Sequence, residues 1–358
     1  MLSGMNIFCS TTAEGERPNL ASAQRSWNSG AMQWNVKGAG HVRVTMLLTL
    51  SLLIAGCTAP GAAPVPTAPE EPVAPPLAPM EQEDTRVSSD ENSELGTLTS
   101  LTTEGVSPHL ELVDDDTVRI FYSSITAGGL VVAECTLDFE CQTSAVLQRM
   151  SDLTVVTTGS GDRRGYWVEM NPETGNKEIY TGLVSQDGTS LSDSRSLGYS
   201  DEGQMGWGVP DAVTLPDGRV RLYWVVSGEG RAQEKIVSAT SIDSSGTTFT
   251  QDDGFRLTGG YVDFEVLDAS EGSWIAVMST SPENLPDTAQ GIFVATSPDG
   301  LEWSTSGVSI SPDTASYLDP TGIKNADGSF TLVLAVAPNE MGMRDYDLQH
   351  TQLSVIIP

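Results

Sequence analysis

Acidic side chains stand at the start of several apolar, strand-like runs of this sequence. They are Asp211, Asp263, Glu265 and Asp319. Two carboxyl groups held on either side of a bond can serve as general acid and general base. Short acidic side chains at strand starts also accept hydrogen bonds from backbone N–H groups. The sequence therefore allows a catalytic and a purely structural interpretation of the same four residues.

The elements that must position these side chains are set by a short repeated pattern. The copies are Ser185–Gly188, Ser241–Asp243 and Ser297–Gly300, with 56 residues from one initial serine to the next. Each copy follows an apolar run and precedes another apolar residue, which indicates strand, tight turn, strand. We expect Asp187, Asp243 and Asp299 to fix these turns through bonds to the backbone. A period of this length built from hairpins is typical of propeller blades.

Five such units fit between about residue 96 and residue 358. The predicted fold class is all-β: a five-bladed β-propeller whose blades are four-stranded antiparallel sheets. The last unit is short, so we expect a strand over Gly96–Leu101 to complete its sheet and close the ring.

Several segments resemble a known class of propeller. Val209–Tyr223 and Leu318–Pro320 are similar to the blade openings of five-bladed glycosidase propellers of the arabinanase, β-xylosidase and fructosidase kind. Ala295–Trp303 is similar to a turn shared by those proteins and sialidase-like propellers, although it is one residue shorter than the sialidase pattern. The likeness extends over about residues 105–358.

The resemblance implies glycoside hydrolysis by an Asp of the first blade, an Asp of a later blade and a Glu acid. On that basis Asp263 or Asp319 would be the base and Glu265 the acid. Ser107 stands where the Asp of the first blade is expected. The predicted function is therefore binding of carbohydrate, or of another extracytoplasmic ligand, at the propeller mouth. An active glycoside hydrolase and a protein-interaction scaffold are the alternatives.

Aromatic residues precede the opening acids. Trp207, Tyr261 and Tyr317 stand two to four residues before Asp211, Asp263 and Asp319. Flat rings around a concave mouth can stack on sugar faces. They can equally fill the gaps between blades. With Asp211, the three aromatic residues are the candidate ligand-binding set.

The charge balance is strongly acidic, with 18 Lys and Arg against 48 Asp and Glu and a formal net charge of −30. Binding to nucleic acid needs clustered basic residues, so no nucleic-acid partner is expected. Neither a zinc-ligand spacing, a phosphate loop nor a nucleophilic triad is visible, and no metal or cofactor is predicted.

An export signal is predicted near the N-terminus. Residues 42–56 contain a short apolar core that ends in small residues before Cys57. They resemble a bacterial lipoprotein signal, which implies a palmitate-carrying lipid anchor at Cys57 on the outer face of a bacterial cell membrane or outer membrane. Residues 1–41 are interpreted as an upstream extension. Residues 57–95 form a Pro/Ala-rich and then acidic linker, and residues 96–358 form the propeller.

Two cysteines lie close together in the propeller region. Cys135 and Cys141 are six positions apart, and in an exported protein we expect a structural disulfide between them. His109 and His350 are interpreted as isolated residues.

Overall fold

The computed structural model describes residues 93–200, 208–226, 234–280, 290–310, 315–338 and 346–355. The predicted signal and linker up to residue 92, the lipidation site Cys57 and the aromatic residue Trp207 lie outside these residues. The described residues form five antiparallel sheets. None of them belongs to a helix that is long and apolar enough to cross a membrane.

Four blades are built from consecutive strands, with the first strand innermost. The first blade contains β3 (Val106–Asp114), β4 (Thr117–Ser124), β5 (Gly129–Thr136) and β6 (Cys141–Leu147). The second contains β7 (Ser151–Thr157), β8 (Arg163–Met170), β9 (Lys177–Val184) and β10 (Leu191–Ser200). The third contains β11 (Gly208–Thr214), β12 (Val220–Val226), β13 (Lys235–Ser241), β14 (Phe249–Gln251) and a short β15 (Leu257–Thr258). The fourth contains β16 (Tyr261–Ser270), β17 (Ser273–Thr280), β18 (Ile292–Ser297) and β19 (Ser304–Ile310).

The fifth blade combines both ends of the described chain. Its strands are β20 (Ala315–Lys324), β21 (Phe330–Pro338), β22 (Asp347–Val355), β1 (Ser93–Leu95) and β2 (Thr99–Glu104). Both β1 and β2 pair with β22, so N-terminal strands close the last sheet as predicted. Pairing begins at Ser93, three residues before the domain boundary expected at 96, because main-chain hydrogen bonds to β22 do not need an apolar sequence.

Apolar clusters fill the five seams between neighbouring blades. Each cluster combines buried side chains of two adjacent sheets, for example Tyr223 with Phe264 and Trp303 at the seam of blades three and four. The innermost strands contact one another in the cyclic order β3, β7, β11, β16, β20 and back to β3. The five-bladed ring predicted from the repeat is therefore confirmed.

The repeated serine pattern forms the turns between the third and fourth strands. Asp187, Asp243 and Asp299 accept backbone N–H groups two or three residues further along, as predicted. Each turn also docks on the second strand of the preceding blade. The hydroxyl of Tyr223 on β12 donates to the carbonyl of Gly300 at 2.8 Å, and Tyr166 on β8 donates likewise to Gly246. The repeat thus joins consecutive blades.

Candidate functional site

The five inner strands share an unusual backbone position near their start. Its residues, here called the bulge ring, are Ser107, Asp152, Val209, Asp263 and Asp319, with φ of 49°, 54°, 32°, 53° and 48°. At each of them the pairing with the second strand shifts register. Residues with a Cβ rarely adopt positive φ. A bulge changes the direction of a side chain, and such strained positions cluster at functional sites. Their fivefold recurrence marks the centre of the propeller.

A second ring lies two residues further along the same strands. Its members, here called the inner polar ring, are His109, Thr154, Asp211, Glu265 and Thr321. In every blade one apolar residue or proline separates the two rings. The predicted catalytic residues Asp263, Glu265 and Asp319 therefore do meet, with Asp263 and Asp319 in the bulge ring and Glu265 in the inner polar ring. Asp211 occupies the position equivalent to Glu265.

Asp263 and Asp319 lie together between blades four and five. Asp263 is buried and Asp319 is half-buried. Burial and then the charge of Asp263 raise the pKa of Asp319 well above its usual range, and burial also raises the pKa of Asp263. Each of these carboxyl groups is therefore easier to protonate than that of an exposed aspartate.

The same pair also accepts backbone N–H groups of the following blade. Oδ2 of Asp319 accepts the N–H of Ser107 at 2.8 Å, and Oδ2 of Asp263 accepts the N–H of Asp319 at 3.3 Å. The first of these bonds joins residues 212 positions apart and links the fifth blade to the first. These carboxyl groups therefore hold the ring of blades together, as the structural interpretation of the acids expects.

The inner polar ring is connected in the same way. Asp211 accepts the N–H of Val266 at 2.9 Å and the hydroxyl of Thr154 at 3.4 Å. Glu265 accepts the hydroxyl of Thr321 at 2.7 Å. Burial, followed by the charge of Glu265, raises the pKa of Asp211 well above its usual range.

His109 belongs to the inner polar ring, so its interpretation as an isolated residue is wrong. Its Nε2 accepts the N–H of Val155 at 3.1 Å, which places the ring proton on Nδ1. Nδ1 lies 3.7 Å from Oε1 of Glu265 and has no hydrogen-bond partner among the described residues. Closure of the propeller between blades one and five brings the imidazole of His109 next to these acids.

Other members of the two rings were also not predicted, although the sequence contains a pattern that identifies them. The matching segments are Ser107-Pro108-His109, Asp152-Leu153-Thr154, Val209-Pro210-Asp211, Asp263-Phe264-Glu265 and Asp319-Pro320-Thr321. Aligning the proline of the first, third and fifth segments would have placed both rings. It would also have identified Asp152 as a central carboxylate.

The space enclosed by the two rings is small. The cavity is lined by residues of all five inner strands and has a volume of about 20 Å³. One water molecule needs about 10–15 Å³ by the same measure. Pockets for small organic ligands are typically about 300–1,000 Å³. The cavity formed by the described residues therefore has room for a water molecule and is too small for a sugar ring.

Two of the predicted aromatic residues, Tyr261 and Tyr317, stand two positions before the bulge ring. Tyr261 is half-buried and meets Phe293 edge-on with ring centroids 5.4 Å apart. Tyr317 is half-buried against the apolar cluster between blades four and five. Both rings thus contribute to seams between blades, and Trp207 holds the corresponding sequence position before Val209.

The described acids at the centre do not form a metal site. Among the residues that the structure describes, no group of three or more His, Cys, Asp or Glu side chains has the geometry to hold a metal ion. Cys135 and Cys141 are joined by a disulfide that spans the turn between β5 and β6, away from the two rings.

No protein-family model matches the sequence, and no curated protein matches it significantly. Solved structures do match the fold. A thermostable family-43 glycoside hydrolase aligns with 12% identity and a TM-score of 0.57, over 74% of this chain and 94% of that one. An endo-1,4-β-xylanase from Bacteroides thetaiotaomicron aligns with 11% identity and a TM-score of 0.51, over 71% and 92% of the two chains. An exo-1,5-α-L-arabinanase from a bovine ruminal metagenomic library aligns with 9% identity and a TM-score of 0.51, over 72% and 94%.

The fold and its centre define the class of this protein. It is a five-bladed β-propeller that resembles family-43 arabinanase and xylosidase structures, as the blade openings predicted. The likeness concerns the fold, since the sequence identities are between 9% and 12%.

Proposed function

We propose that this chain is a carbohydrate-binding propeller that has the fold of a glycosidase without hydrolytic activity. The glycan lies across the entrance of the central cavity, where the five inner strands begin. The fold, the carboxyl groups around the entrance and the neighbouring tyrosines support this assignment. The chain is exported and is held at a membrane by a lipid on Cys57.

One observation carries the non-hydrolytic assignment: Asp263 and Asp319 lie together and are used in bonds between blades. Glycoside hydrolysis needs two carboxyl groups about 5–10 Å apart, with the scissile bond between them. The carboxyl groups of Asp263 and Asp319 instead accept backbone N–H groups of the following blade, at 3.3 Å and 2.8 Å. At the equivalent positions of blades one and three, Ser107 and Val209 have no carboxyl group.

Binding is tested by isothermal titration calorimetry with xylotriose, arabinotriose, cellotriose and mannotriose. We expect heat of binding for at least one of them, and a weaker Kd in Tyr261→Ala and Tyr317→Ala, because stacking on a ring contributes to sugar affinity. Absence of binding across all four sugars would overturn the carbohydrate assignment.

Hydrolysis is the second candidate, since Asp152 on the second blade acts electrostatically on both members of the Asp263–Asp319 pair. Carboxyl groups on opposite sides of the cavity could act as general acid and general base. Turnover of a panel of aryl glycosides decides between the two functions, with Asp263→Asn as the control. We expect no turnover by either protein, whereas turnover that disappears in Asp263→Asn would establish the enzyme.

The lipid anchor has its own test. Cells that express the full chain are labelled with radioactive palmitate, and the protein is recovered by immunoprecipitation. We expect the wild-type protein to carry label and Cys57→Ala to carry none, since the thiol is the acceptor atom. Label that persists in Cys57→Ala would contradict lipidation at this residue.

A further inference from the structure

A larger groove lies at the opposite end of the propeller from the central cavity. It runs between blades one and five, beside the turn from β5 to β6 and the turn from β20 to β21, and has a volume of about 500 Å³. This is within the range of ligand pockets, whereas the central cavity of about 20 Å³ is not. We call it the seam groove and define it by Leu137, Phe139, Ile323, Asn325, Thr331 and Gln352.

The seam groove lies beside the first blade's version of the repeated turn. In the second and fourth blades the fourth turn residue is Gly188 or Gly300, and a Cβ on Gly300 would lie 2.7 Å from the hydroxyl oxygen of Tyr223 on the preceding blade. The backbone of that turn therefore approaches the preceding blade closely. In the first blade the same position holds Phe139, with φ of 59°. Its buried ring packs on the fifth blade, 4.6 Å from the ring of His350 on β22, so a side chain replaces the close backbone contact at this seam.

One wall of the seam groove is apolar. Leu137 is 50% exposed at the tip of the turn, and Phe139 and Ile323 lie next to it. The disulfide between Cys135 and Cys141 closes the same turn and restricts its movement. A fixed apolar wall of this kind suits the C–H face of a sugar ring.

The opposite wall is a closed cycle of neutral hydrogen-bonding groups. Nδ2 of Asn325 donates to Oε1 of Gln352 at 2.9 Å, Nε2 of Gln352 donates to Oγ1 of Thr331 at 2.9 Å, and Thr331 donates to Oδ1 of Asn325 at 3.0 Å. A primary amide has two N–H donors and a carbonyl oxygen with two lone pairs. The cycle uses one donor and one lone pair of Gln352 and fixes the orientation of its amide.

Gln352 therefore keeps one donor and one acceptor on an exposed side chain, beyond its bonds to described residues. Both can bond to hydroxyl groups. No lysine or arginine is among the described residues that line the seam groove, which argues against an anionic ligand. The lining carboxylate, Asp327, already accepts the N–H and hydroxyl of Ser329. The groove thus favours an uncharged, polyhydroxylated ligand.

We propose that the seam groove is a saccharide-binding site separate from the propeller mouth. It packs the apolar face of a neutral sugar on the exposed Leu137 and binds sugar hydroxyls through Gln352. This site goes beyond the proposed function, because it does not depend on the central rings.

The test uses the full chain and the same four trisaccharides in calorimetry. The control for Leu137→Ala is Ile242→Ala. Both residues hold the second position of the repeated turn, Leu137 in the first blade and Ile242 in the third, and Ile242 is 61% exposed. Gln352→Ala is matched by Gln251→Ala, an exposed glutamine of β14. We expect Kd to rise about tenfold in each seam variant and to stay within about twofold in each control. Circular dichroism verifies that all variants fold.

The outcomes separate the two sites. Weaker binding in the seam variants but not in Tyr261→Ala and Tyr317→Ala supports the seam groove and contradicts binding at the mouth. The reverse result overturns the seam groove and leaves the proposed function intact. Equal loss in Leu137→Ala and Ile242→Ala, or no binding of any of the four sugars, also overturns the seam groove.

Discussion

The substitution Asp319→Asn removes an ionisable group from the central carboxyl pair and preserves its shape. Asp319 accepts the N–H of Ser107 at 2.8 Å, and its own N–H donates to Oδ2 of Asp263 at 3.3 Å. An asparagine can make both bonds, because its Oδ1 accepts and its backbone N–H is unchanged. We therefore expect the variant to fold, and the change to be seen in how its stability depends on pH.

The sign and size of the effect follow from the pKa of Asp319. Burial and the charge of Asp263 raise this pKa well above its usual range, whereas in the unfolded chain it lies near about 3.9. Between these two pKa values the folded protein holds one more proton than the unfolded chain. The free energy of unfolding of the wild type therefore falls by about 1.4 kcal/mol per pH unit through this group. Below about pH 4 the group contributes no pH dependence, and the variant lacks the fall altogether.

The assay is urea unfolding of both proteins from about pH 4 to about pH 7. We expect the variant to gain stability relative to the wild type as pH rises. Asp327→Asn is the control, because the hydroxyl and N–H of Ser329 lower the pKa of this exposed carboxylate. Asp327 therefore contributes stability above about pH 4 and loses this contribution as pH falls. The stability of the protein depends on pH through Asp327 with the opposite sign to Asp319. A difference between wild type and Asp319→Asn that is constant over this range would refute the raised pKa.

Three further outcomes concern the turns that join the blades, and each is measured by chemical unfolding. Gly300→Ala should destabilise the protein more than Gly128→Ala, since both glycines have φ of 74° but only the first would bring its Cβ against another side chain; equal losses would contradict this. Tyr223→Phe should cost about 0.5–1.5 kcal/mol, the net contribution of one hydrogen bond, because the carbonyl of Gly300 still accepts the Nε1–H of Trp303; an unchanged midpoint would count against the bond. Replacing Cys135 and Cys141 together by alanine should cost about 2 kcal/mol, the chain entropy released from so short a loop, and no loss would show that the disulfide does not restrict the unfolded chain.

The blades and their turns could be predicted from the sequence because they depend on local interactions. Strand alternation and a hydrogen bond from an acidic side chain to an N–H two residues away require only neighbouring residues. The 56-residue interval between the serines therefore gave the fold class. It also placed Asp187, Asp243 and Asp299 in turns, away from the centre.

The site could be predicted only in part, because it is assembled from every blade. Asp263, Glu265 and Asp319 were identified as acids that begin inner strands, and they do lie together. The sequence did not show which of these side chains face the propeller axis. The reason is a bulge with positive φ at Asp263, two residues before Glu265. A shift of this kind changes which side chains face the axis.

The architecture follows from the sequence alone, whereas contacts between distant blades decide how the acids are used. Ser107 and Asp319 are 212 residues apart and touch because the ring closes. That closure turns a carboxyl group that could serve catalysis into the neighbour of Asp263 and the acceptor of a backbone N–H from the first blade. Which groups surround a buried carboxyl, and therefore its pKa, is a property of packing between distant segments, and no local pattern of residues encodes it.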